Sequence, residues 1–322
     1  MNKKLIKVRG LSKSFDVRAR GLLGKKHSIL AVNNIDLDIF EGETLGLVGE
    51  SGCGKSTLGK SVLQLVTPTS GQVFFEGVEL NTLSKEELRE FRQNMQLVFQ
   101  DPHSSLHSKK RVKWLLEEPL IAHNIGTKEI REELIMDLIK VIGLTEDHLE
   151  RFPGELSGGQ AQRIGILSAL MLSPKFIVAD EAVSALDMSI QGQILNLLNN
   201  IKKRFKLTML FITHDLSVCY YMSDRIAVMY LGNIVEIGVA EKVYKEHKHP
   251  YTKLLFSSLL TVDKEIDYVD IISSDIASEQ IEGGCPFYHR CDKRKGKCLE
   301  GLPKMTQVDK DQFVRCVLYE EI

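Results

Sequence analysis

Residues 49–56 read Gly-Glu-Ser-Gly-Cys-Gly-Lys-Ser and are the segment of this chain with the clearest chemistry. The residue types fit the pattern G-x-x-x-x-G-K-[ST], in which backbone N–H groups of a glycine-rich loop surround phosphate oxygens. The lysine brings a positive charge to the phosphates, and the serine hydroxyl is a ligand for Mg²⁺. The segment therefore predicts a nucleoside triphosphate site. Its candidate residues are Gly49, Glu50, Ser51, Gly52, Cys53, Gly54, Lys55, Ser56 and Thr57.

Two adjacent carboxylates, Asp180 and Glu181, follow the apolar residues 176–179. A carboxylate at the end of a buried strand can hold the Mg²⁺ shell together with Ser56. Its neighbour can polarise the attacking water as a general base. This pairing favours an enzyme that hydrolyses the nucleotide over a protein that only binds it.

The elements that must position these groups follow from apolar alternation and helical periodicity. Segments 44–48 and 176–180 are apolar enough for buried strands, and the first leads into the phosphate-binding loop. A helix over 55–65 places its N-terminus, with roughly half a positive elementary charge, against the bound anion. Beyond residue 176 strands and helices alternate as βαβα units do, while residues 5–48 read as short strands and residues 101–169 as helices.

Composition excludes several classes of protein. The formal net charge of the 322 residues is −1, so no global field favours nucleic acid. The longest apolar stretches are far shorter than the about 20 residues that span a bilayer. The N-terminal residues alternate like a strand and lack the apolar core of a signal peptide. We therefore expect a cytosolic chain whose membrane role, if it has one, depends on a partner.

Residues 156–160 read Leu-Ser-Gly-Gly-Gln, and with the preceding motifs they make the chain resemble the ATPase subunit of an ATP-binding cassette (ABC) transporter. The resemblance implies ATP and Mg²⁺ as cofactors and ATP hydrolysis coupled to transport. It implies that Gln100 contacts Mg²⁺ and the lytic water, that His214 contacts the γ-phosphate, and that Phe15 lies under the adenine. The implied catalytic residues are Glu181, His214 and Gln100.

The same resemblance implies a composite site. In this family the Leu-Ser-Gly-Gly-Gln signature faces the ATP that is held by a second cassette, and a nearby aspartate communicates across the dimer. A single cassette should therefore hydrolyse ATP poorly. The residues concerned are Ser157, Gly158, Gly159, Gln160 and Asp187.

The end of the chain resembles one group within the family. Residues 249–255 read His-Pro-Tyr-Thr-Lys-Leu-Leu and residues 284–291 read Gly-Cys-Pro-Phe-Tyr-His-Arg-Cys, as in ATPases of oligopeptide and dipeptide importers, particularly the F-type subunit. The resemblance implies a second, paralogous ATPase, two membrane permeases and an extracytoplasmic binding protein, at the cytoplasmic face of the membrane. Nickel or metal–chelator import is the alternative within transport. A soluble ABC ATPase is the alternative outside it.

Four of the six cysteines, Cys285, Cys291, Cys298 and Cys316, lie close together near the C-terminus. In a reducing cytosol clustered cysteines favour a metal over disulfides. Four thiolates can ligate a [4Fe–4S] cluster or tetrahedral zinc, and unliganded thiols are the third possibility. Because related peptide-importer ATPases carry such clusters, the resemblance favours iron–sulfur.

The expected fold is α/β: a P-loop (RecA-like) ABC ATPase core with an antiparallel β subdomain and a helical subdomain at about 101–169, followed by a small cysteine-rich C-terminal tail. The nucleotide-binding domain is predicted over 1–262 and the importer-type extension over 263–322. The surface around residues 101–121 is expected to form a groove for a membrane subunit, the alternative being packing within the helical subdomain. It includes Val112, Trp114 and Leu115.

Overall fold

The computed structural model describes residues 3–18, 26–257 and 283–320. The predicted boundary between residues 262 and 263 lies outside these ranges. The strands are β1 (Lys4–Arg18), β2 (Lys26–Phe40), β3 (Thr44–Val48), β4 (Ser70–Phe75), β5 (Val78–Glu79), β6 (Met95–Val98), β7 (Phe176–Asp180), β8 (Thr208–Ile212), β9 (Arg225–Tyr230), β10 (Asn233–Val239), β11 (Met305–Asp309) and β12 (Gln312–Arg315). The helices are α1 (Lys55–Val62), α2 (Lys85–Arg92), α3 (Pro102–Ser105), α4 (Val112–Ala122), α5 (Lys128–Val141), α6 (Gly158–Leu170), α7 (Met188–Phe205), α8 (Leu216–Met222), α9 (Ala240–Lys245) and α10 (Pro250–Ser257).

In the described part of the chain the strands form two sheets. The larger has eight strands in the order β11-β12-β10-β9-β3-β8-β7-β6, and its centre, from β9 to β6, is parallel. The smaller is antiparallel, in the order β2-β1-β4-β5. Parallel strands bring their carboxyl ends to one edge, so residues that follow β3, β7 and β8 meet there.

The central strands are buried on both faces, and side-chain alternation divides their residues between two apolar clusters. Phe176 and Val178 of β7 pack with the antiparallel sheet and α1, whereas Ile177 and Ala179 pack with the helical segment and α7. Strand β8 divides in the same way. Because period-2 alternation sends successive side chains to opposite faces, one strand anchors two layers.

The helical segment between β6 and β7 contains α3, α4, α5 and α6, as the periodicity predicted for about 101–169. Its apolar faces join the cluster on one side of the main sheet. Val112 and Leu115, two of the residues predicted to line a groove, are buried in this cluster, whereas Trp114 is exposed. Packing within the segment is thus the correct interpretation for the first two.

The C-terminal residues continue the main sheet. Strand β12 pairs antiparallel with β10 of the cassette, and β11 pairs with β12. At this edge the Glu236 carboxylate, fully buried in β10, accepts hydrogen bonds from the Gln312 side chain and from the N–H groups of Lys248 and His249. The tail is therefore attached to the nucleotide-binding core by backbone ladders and by a satisfied buried carboxylate.

None of the helices in the described ranges is long and apolar enough to cross a bilayer.

Candidate nucleotide-binding site

The phosphate-binding loop joins the end of β3 to the start of α1 and needs glycine at two close approaches. A Cβ atom on Gly49 would lie 2.1 Å from the Met229 carbonyl oxygen, and one on Gly54 would lie 2.0 Å from the Ala31 carbonyl oxygen. Both glycines also have positive φ angles, of 155° and 106°. At Gly52, by contrast, nothing lies within 4 Å of the Cβ position, so the loop is open on that side.

The first turn of α1 has the donors that an anion requires. Gly54, its N-cap, has no side chain to accept a hydrogen bond from the helix, and no acidic residue stands in the first turn. The leading N–H groups therefore point toward the loop without intrahelical partners. Together with the helix dipole they fit the phosphate groups of a nucleotide.

Lys55 is buried beneath the loop. Its Nζ donates to the carbonyl oxygens of Gly49 at 2.8 Å and Glu50 at 2.9 Å, and lies 3.8 Å from the Cys53 sulfur. These contacts hold the ammonium group inside the curve of the loop, where it can also reach a phosphate oxygen. Burial raises the pKa of the Cys53 thiol, so this cysteine is a protonated packing residue at neutral pH.

The two predicted Mg²⁺ ligands meet. Ser56 Oγ donates to Asp180 Oδ1 over 2.6 Å, although the residues are 124 positions apart in the chain. Lys60 Nζ lies 3.9 Å from the other Asp180 oxygen. A hydroxyl and a carboxylate side by side are the hard oxygen donors that Mg²⁺ prefers, so the donor set fits this ion.

The three predicted catalytic side chains also converge. Gln100 Nε2 donates to Glu181 Oε2 at 2.9 Å, and His214 Nδ1 lies 3.5 Å from the same oxygen. Glu181 has a left-handed backbone, with φ of 49°, directly after the last residue of β7. This conformation costs a non-glycine residue on the order of 1 kcal/mol and sets the direction in which the carboxylate leaves the strand end.

The signature residues form the N-terminus of α6, and among the described residues none of their hydrogen bonds reaches this chain's own phosphate-binding loop. Ser157 is the N-cap: its Oγ accepts from the N–H of Gln160, whose Oε1 accepts from the N–H of Ser157. A Cβ atom on Gly159 would lie 2.7 Å from Ile190 Cγ2 of α7. Gly159 therefore allows close packing of α6 on α7.

The sequence and the fold match known proteins. Residues 32–184 match the ABC transporter family, and residues 235–298 match the family described as oligopeptide/dipeptide transporter, C-terminal region. The oligopeptide transport ATP-binding protein AppF of Bacillus subtilis is 41% identical over 320 residues, which cover 98% of this chain and 97% of AppF. The dipeptide transport ATP-binding protein DppF of Lactococcus lactis is 48% identical over 264 residues, 81% of this chain and 83% of DppF.

This chain belongs to the oligopeptide/dipeptide group of ABC transporter ATP-binding proteins. It is an ATP-hydrolysing subunit. Among solved structures, the bacterial ABC transporter cassette MJ0796, described as dimeric, superposes with a TM-score of 0.65 at 30% identity over 73% of this chain and 98% of that one. The cassette cbiO1 of Clostridium perfringens superposes with a TM-score of 0.64 at 26% identity, over 76% of this chain and 92% of cbiO1.

Two further predicted site residues of this ABC ATPase are exposed. Phe15 of β1 is 40% exposed, and Lys13 Nζ lies 4.9 Å from its ring centroid. Asp187, the N-cap of α7, is exposed and precedes Met188, of which 88% is exposed. The contacts that the resemblance implies, with adenine and across a dimer, stay predictions.

The four tail cysteines of the ABC ATPase are buried, and Cys285, Cys291 and Cys298 belong to one apolar cluster. Cys285 interacts electrostatically with the other three, and burial raises the pKa of its thiol to about 11. Within the described ranges, however, no group of three or more His, Cys, Asp or Glu residues has the arrangement of a metal site. The iron–sulfur cluster on these four cysteines stays a prediction.

Sequence reasoning missed two residues next to the phosphate-binding loop. Tyr251, fully buried, accepts a hydrogen bond from the N–H of Glu50 at 3.0 Å. Arg290 in the tail forms an ion pair with the Glu50 side chain. Both residues stand in segments that resemble the peptide-importer group, but neither segment by itself indicates the loop as its partner.

Proposed function

We propose that this ATPase energises uptake of oligopeptides or dipeptides across the cytoplasmic membrane. The observation that carries the proposal is the match of residues 235–298 to the C-terminal region of oligopeptide/dipeptide transporters, alongside relatives named for oligopeptide and dipeptide transport. These relatives favour a peptide over the nickel or metal–chelator alternative. Nothing observed favours a soluble, non-transport ABC ATPase.

In the proposed mechanism, the loop N–H groups and Lys55 bind the phosphates, and Ser56 and Asp180 hold Mg²⁺. The ion neutralises charge on the phosphate oxygens when it is bound. Glu181 accepts the proton of the attacking water at the carboxylate oxygen that Gln100 and His214 flank.

The signature at the N-terminus of α6 acts on the nucleotide of a second cassette, so that two chains bind two ATP molecules between them. The second cassette is a paralogue, and the ATPase pair works with two membrane permeases and an extracytoplasmic binding protein. The chain lies at the cytoplasmic face of the membrane through these partners. The exposed face of α4 at Trp114 is its contact with a permease.

The four tail cysteines hold a [4Fe–4S] cluster, with zinc as the alternative ligand. Support comes from the burial of all four thiols, from the shared apolar cluster of Cys285, Cys291 and Cys298, and from the backbone hydrogen bond of 2.8 Å from the N–H of Cys285 to the oxygen of Cys298. Four thiolates are the donor set of either group. The ligand would staple a short segment that has few apolar residues of its own.

The test of the cluster is anoxic purification of the full chain followed by analysis of iron, acid-labile sulfide and zinc. Four iron and four sulfide per chain are expected, with a brown colour. One zinc per chain would select the alternative. A folded, colourless and metal-free chain would remove both.

The test of the transport function is uptake of a labelled short peptide and of labelled nickel in cells that carry Glu181→Gln. We expect peptide uptake to be lost and nickel uptake to be unaffected. Loss of nickel uptake alone would leave the ATPase mechanism intact and would make the peptide assignment wrong.

A further inference from the structure

The cysteine-rich tail touches the phosphate-binding loop directly. The guanidinium of Arg290 makes two parallel hydrogen bonds to Glu50, from Nη1 to Oε2 and from Nη2 to Oε1, each of 2.9 Å. The two residues are 240 positions apart. A bidentate guanidinium–carboxylate pair fixes orientation as well as charge, because both planar groups must lie edge to edge.

Arg290 is itself held on several sides. Its guanidinium carbon lies 5.7 Å from the ring centroids of Tyr230 and Phe287, and its Nη1 lies 3.4 Å from Tyr230 Oη. It ends the short turn Tyr288–Arg290, in which its N–H donates to the oxygen of Phe287, and the N–H of Tyr288 at the start of this turn donates to the oxygen of Cys285. The side chain thus reaches the loop from a turn fixed by the cysteine segment and by aromatic packing.

Glu50 passes this restraint on to the loop. Its carbonyl oxygen accepts from Lys55 Nζ at 2.9 Å and from the N–H of Cys53 at 3.3 Å, while its own N–H donates to the buried Tyr251. Glu50 is therefore held at both its backbone and its side chain by groups from outside the loop. A shift of this residue would move the acceptor that fixes the phosphate-binding ammonium.

Charge gives a second reason for the contact. Glu50 places a carboxylate in a loop that binds a polyanion, and an uncompensated negative charge there would repel the phosphates. The side chain of Glu50 is 27% exposed and that of Arg290 is 31% exposed, so water screens the pair only in part. Neutralisation by Arg290 removes this repulsion without removing the carboxylate.

We propose that Arg290 is a positioning residue for nucleotide binding: it holds and neutralises Glu50, so that the loop presents Lys55 and its N–H groups to ATP. The tail then contributes a residue to the nucleotide site, in addition to bearing the four cysteines. The inference rests on the ATPase activity of the family, and it concerns nucleotide affinity rather than the transported molecule or any ligand of the cysteines.

The experiment measures the affinity of a fluorescent N-methylanthraniloyl ATP for the full-length chain in its purified transporter complex. Arg290→Gln should weaken binding about tenfold. Arg290→Lys keeps the charge but loses the planar guanidinium, so its affinity should lie between those of the wild type and Arg290→Gln. In the Arg290→Gln background, a second change, Glu50→Gln, should recover most of the affinity, because the unpaired carboxylate is then gone. A merely structural role for Arg290 gives no such recovery.

The matched control is Lys242→Met. Lys242 pairs with Asp309 of β11, so it also joins tail and core by an ion pair, but without a contact to the phosphate-binding loop. Its removal should change nucleotide affinity less than twofold. The inference is overturned if Arg290→Gln leaves affinity unchanged, if Glu50→Gln brings no recovery, or if Lys242→Met weakens binding equally. ATP binding without hydrolysis in the wild-type complex would instead count against the proposed function alone.

Discussion

Glu181 draws together the side chains on which hydrolysis depends. Its left-handed backbone follows a buried strand, and its carboxylate is shared between Gln100 at 2.9 Å and His214 at 3.5 Å. The spacing of motifs in the sequence identified each of these residues. That they meet at one carboxylate oxygen follows from the parallel sheet, which brings the ends of β6, β7 and β8 to the same edge.

His214→Ala tests this arrangement. We expect hydrolysis at the site of this chain to fall about 100-fold, because the base loses a partner that orients it, so the complex with the paralogue should keep about half of its kcat. KM for ATP should change little, since the loop residues still hold the phosphates. Steady-state kinetics of the complex provide the measurement. His123→Ala, which alters a histidine at the end of α4, is the control and should keep the wild-type kcat. A large rise in KM at unchanged kcat would make His214 a binding residue only.

His249 predicts a pH-dependent stability. This imidazole is buried, its Nδ1 accepts a hydrogen bond of 3.1 Å from the N–H of Tyr251, and burial lowers its pKa from 6.5 to about 3. Below pH 6.5 His249 binds a proton in the unfolded chain, whereas in the folded chain it stays neutral down to about pH 3. The free energy of unfolding therefore falls on acidification. Between pH 7 and pH 5 the loss amounts to about 2 kcal/mol.

Urea unfolding at a series of pH values measures this loss. His249→Gln removes the titrating group and keeps a hydrogen-bond acceptor. The loss of unfolding free energy between pH 7 and pH 5 should therefore be about 2 kcal/mol smaller than in the wild type. His289→Gln, which alters an exposed histidine of the tail, should leave the slope as it is. Equal slopes for the wild type and His249→Gln would show that His249 does not bind the proton concerned.

Secondary-structure elements were predicted well where the signal is local. Strands β3 and β7 have the predicted bounds, and α1 begins at the predicted Lys55 but ends at Val62, three residues before the predicted end. The N-terminal region was predicted as short strands, but β1 and β2 are each 15 residues long. Register shifts along their pairing interrupt the alternation, so a single strand reads as several.

The tail shows why the remaining elements could not be predicted. Strands β11 and β12 are only five and four residues long, and their order depends on pairing with β10, which lies far away in sequence. Short strands with a non-local partner leave little periodicity to detect. The contact of Arg290 with Glu50 could not be predicted for the same reason, because the sequence does not indicate which of many carboxylates a single arginine will pair with.

The packing of α6 on α7 predicts opposite effects for two glycines of one helix. Gly159→Ala places a methyl group 2.7 Å from Ile190 Cγ2, so the helices must separate, at a cost of about 1–3 kcal/mol. Gly165→Ala meets nothing within 4 Å and should stabilise the helix by about 0.5–1 kcal/mol through its higher propensity. Melting temperatures of both variants check this, and a Gly159→Ala chain as stable as the wild type would contradict the close packing.

At the scale of the whole molecule, the question is which groups complete an active site. The signature of this chain caps α6 and contacts α7, whereas Tyr251 and Arg290 hold its phosphate-binding loop through contacts with Glu50. If the signature serves a paralogous cassette, Ser157 and Glu181 of this chain belong to two different sites. Substitutions at two different sites have independent effects on the ATPase rate, whereas substitutions of two groups in one site do not.

Ser157→Arg, Glu181→Gln and the double variant distinguish the two arrangements in the complex with the paralogue. Each single variant disables one of two sites and should keep about half of the ATPase rate, and the double variant should keep none. Lys203→Met, which changes an exposed lysine of α7 outside the motifs, is the control and should keep the full rate. A double variant that retains the rate of Ser157→Arg alone would mean that both residues act on the same ATP, and the composite site would then be wrong for this protein.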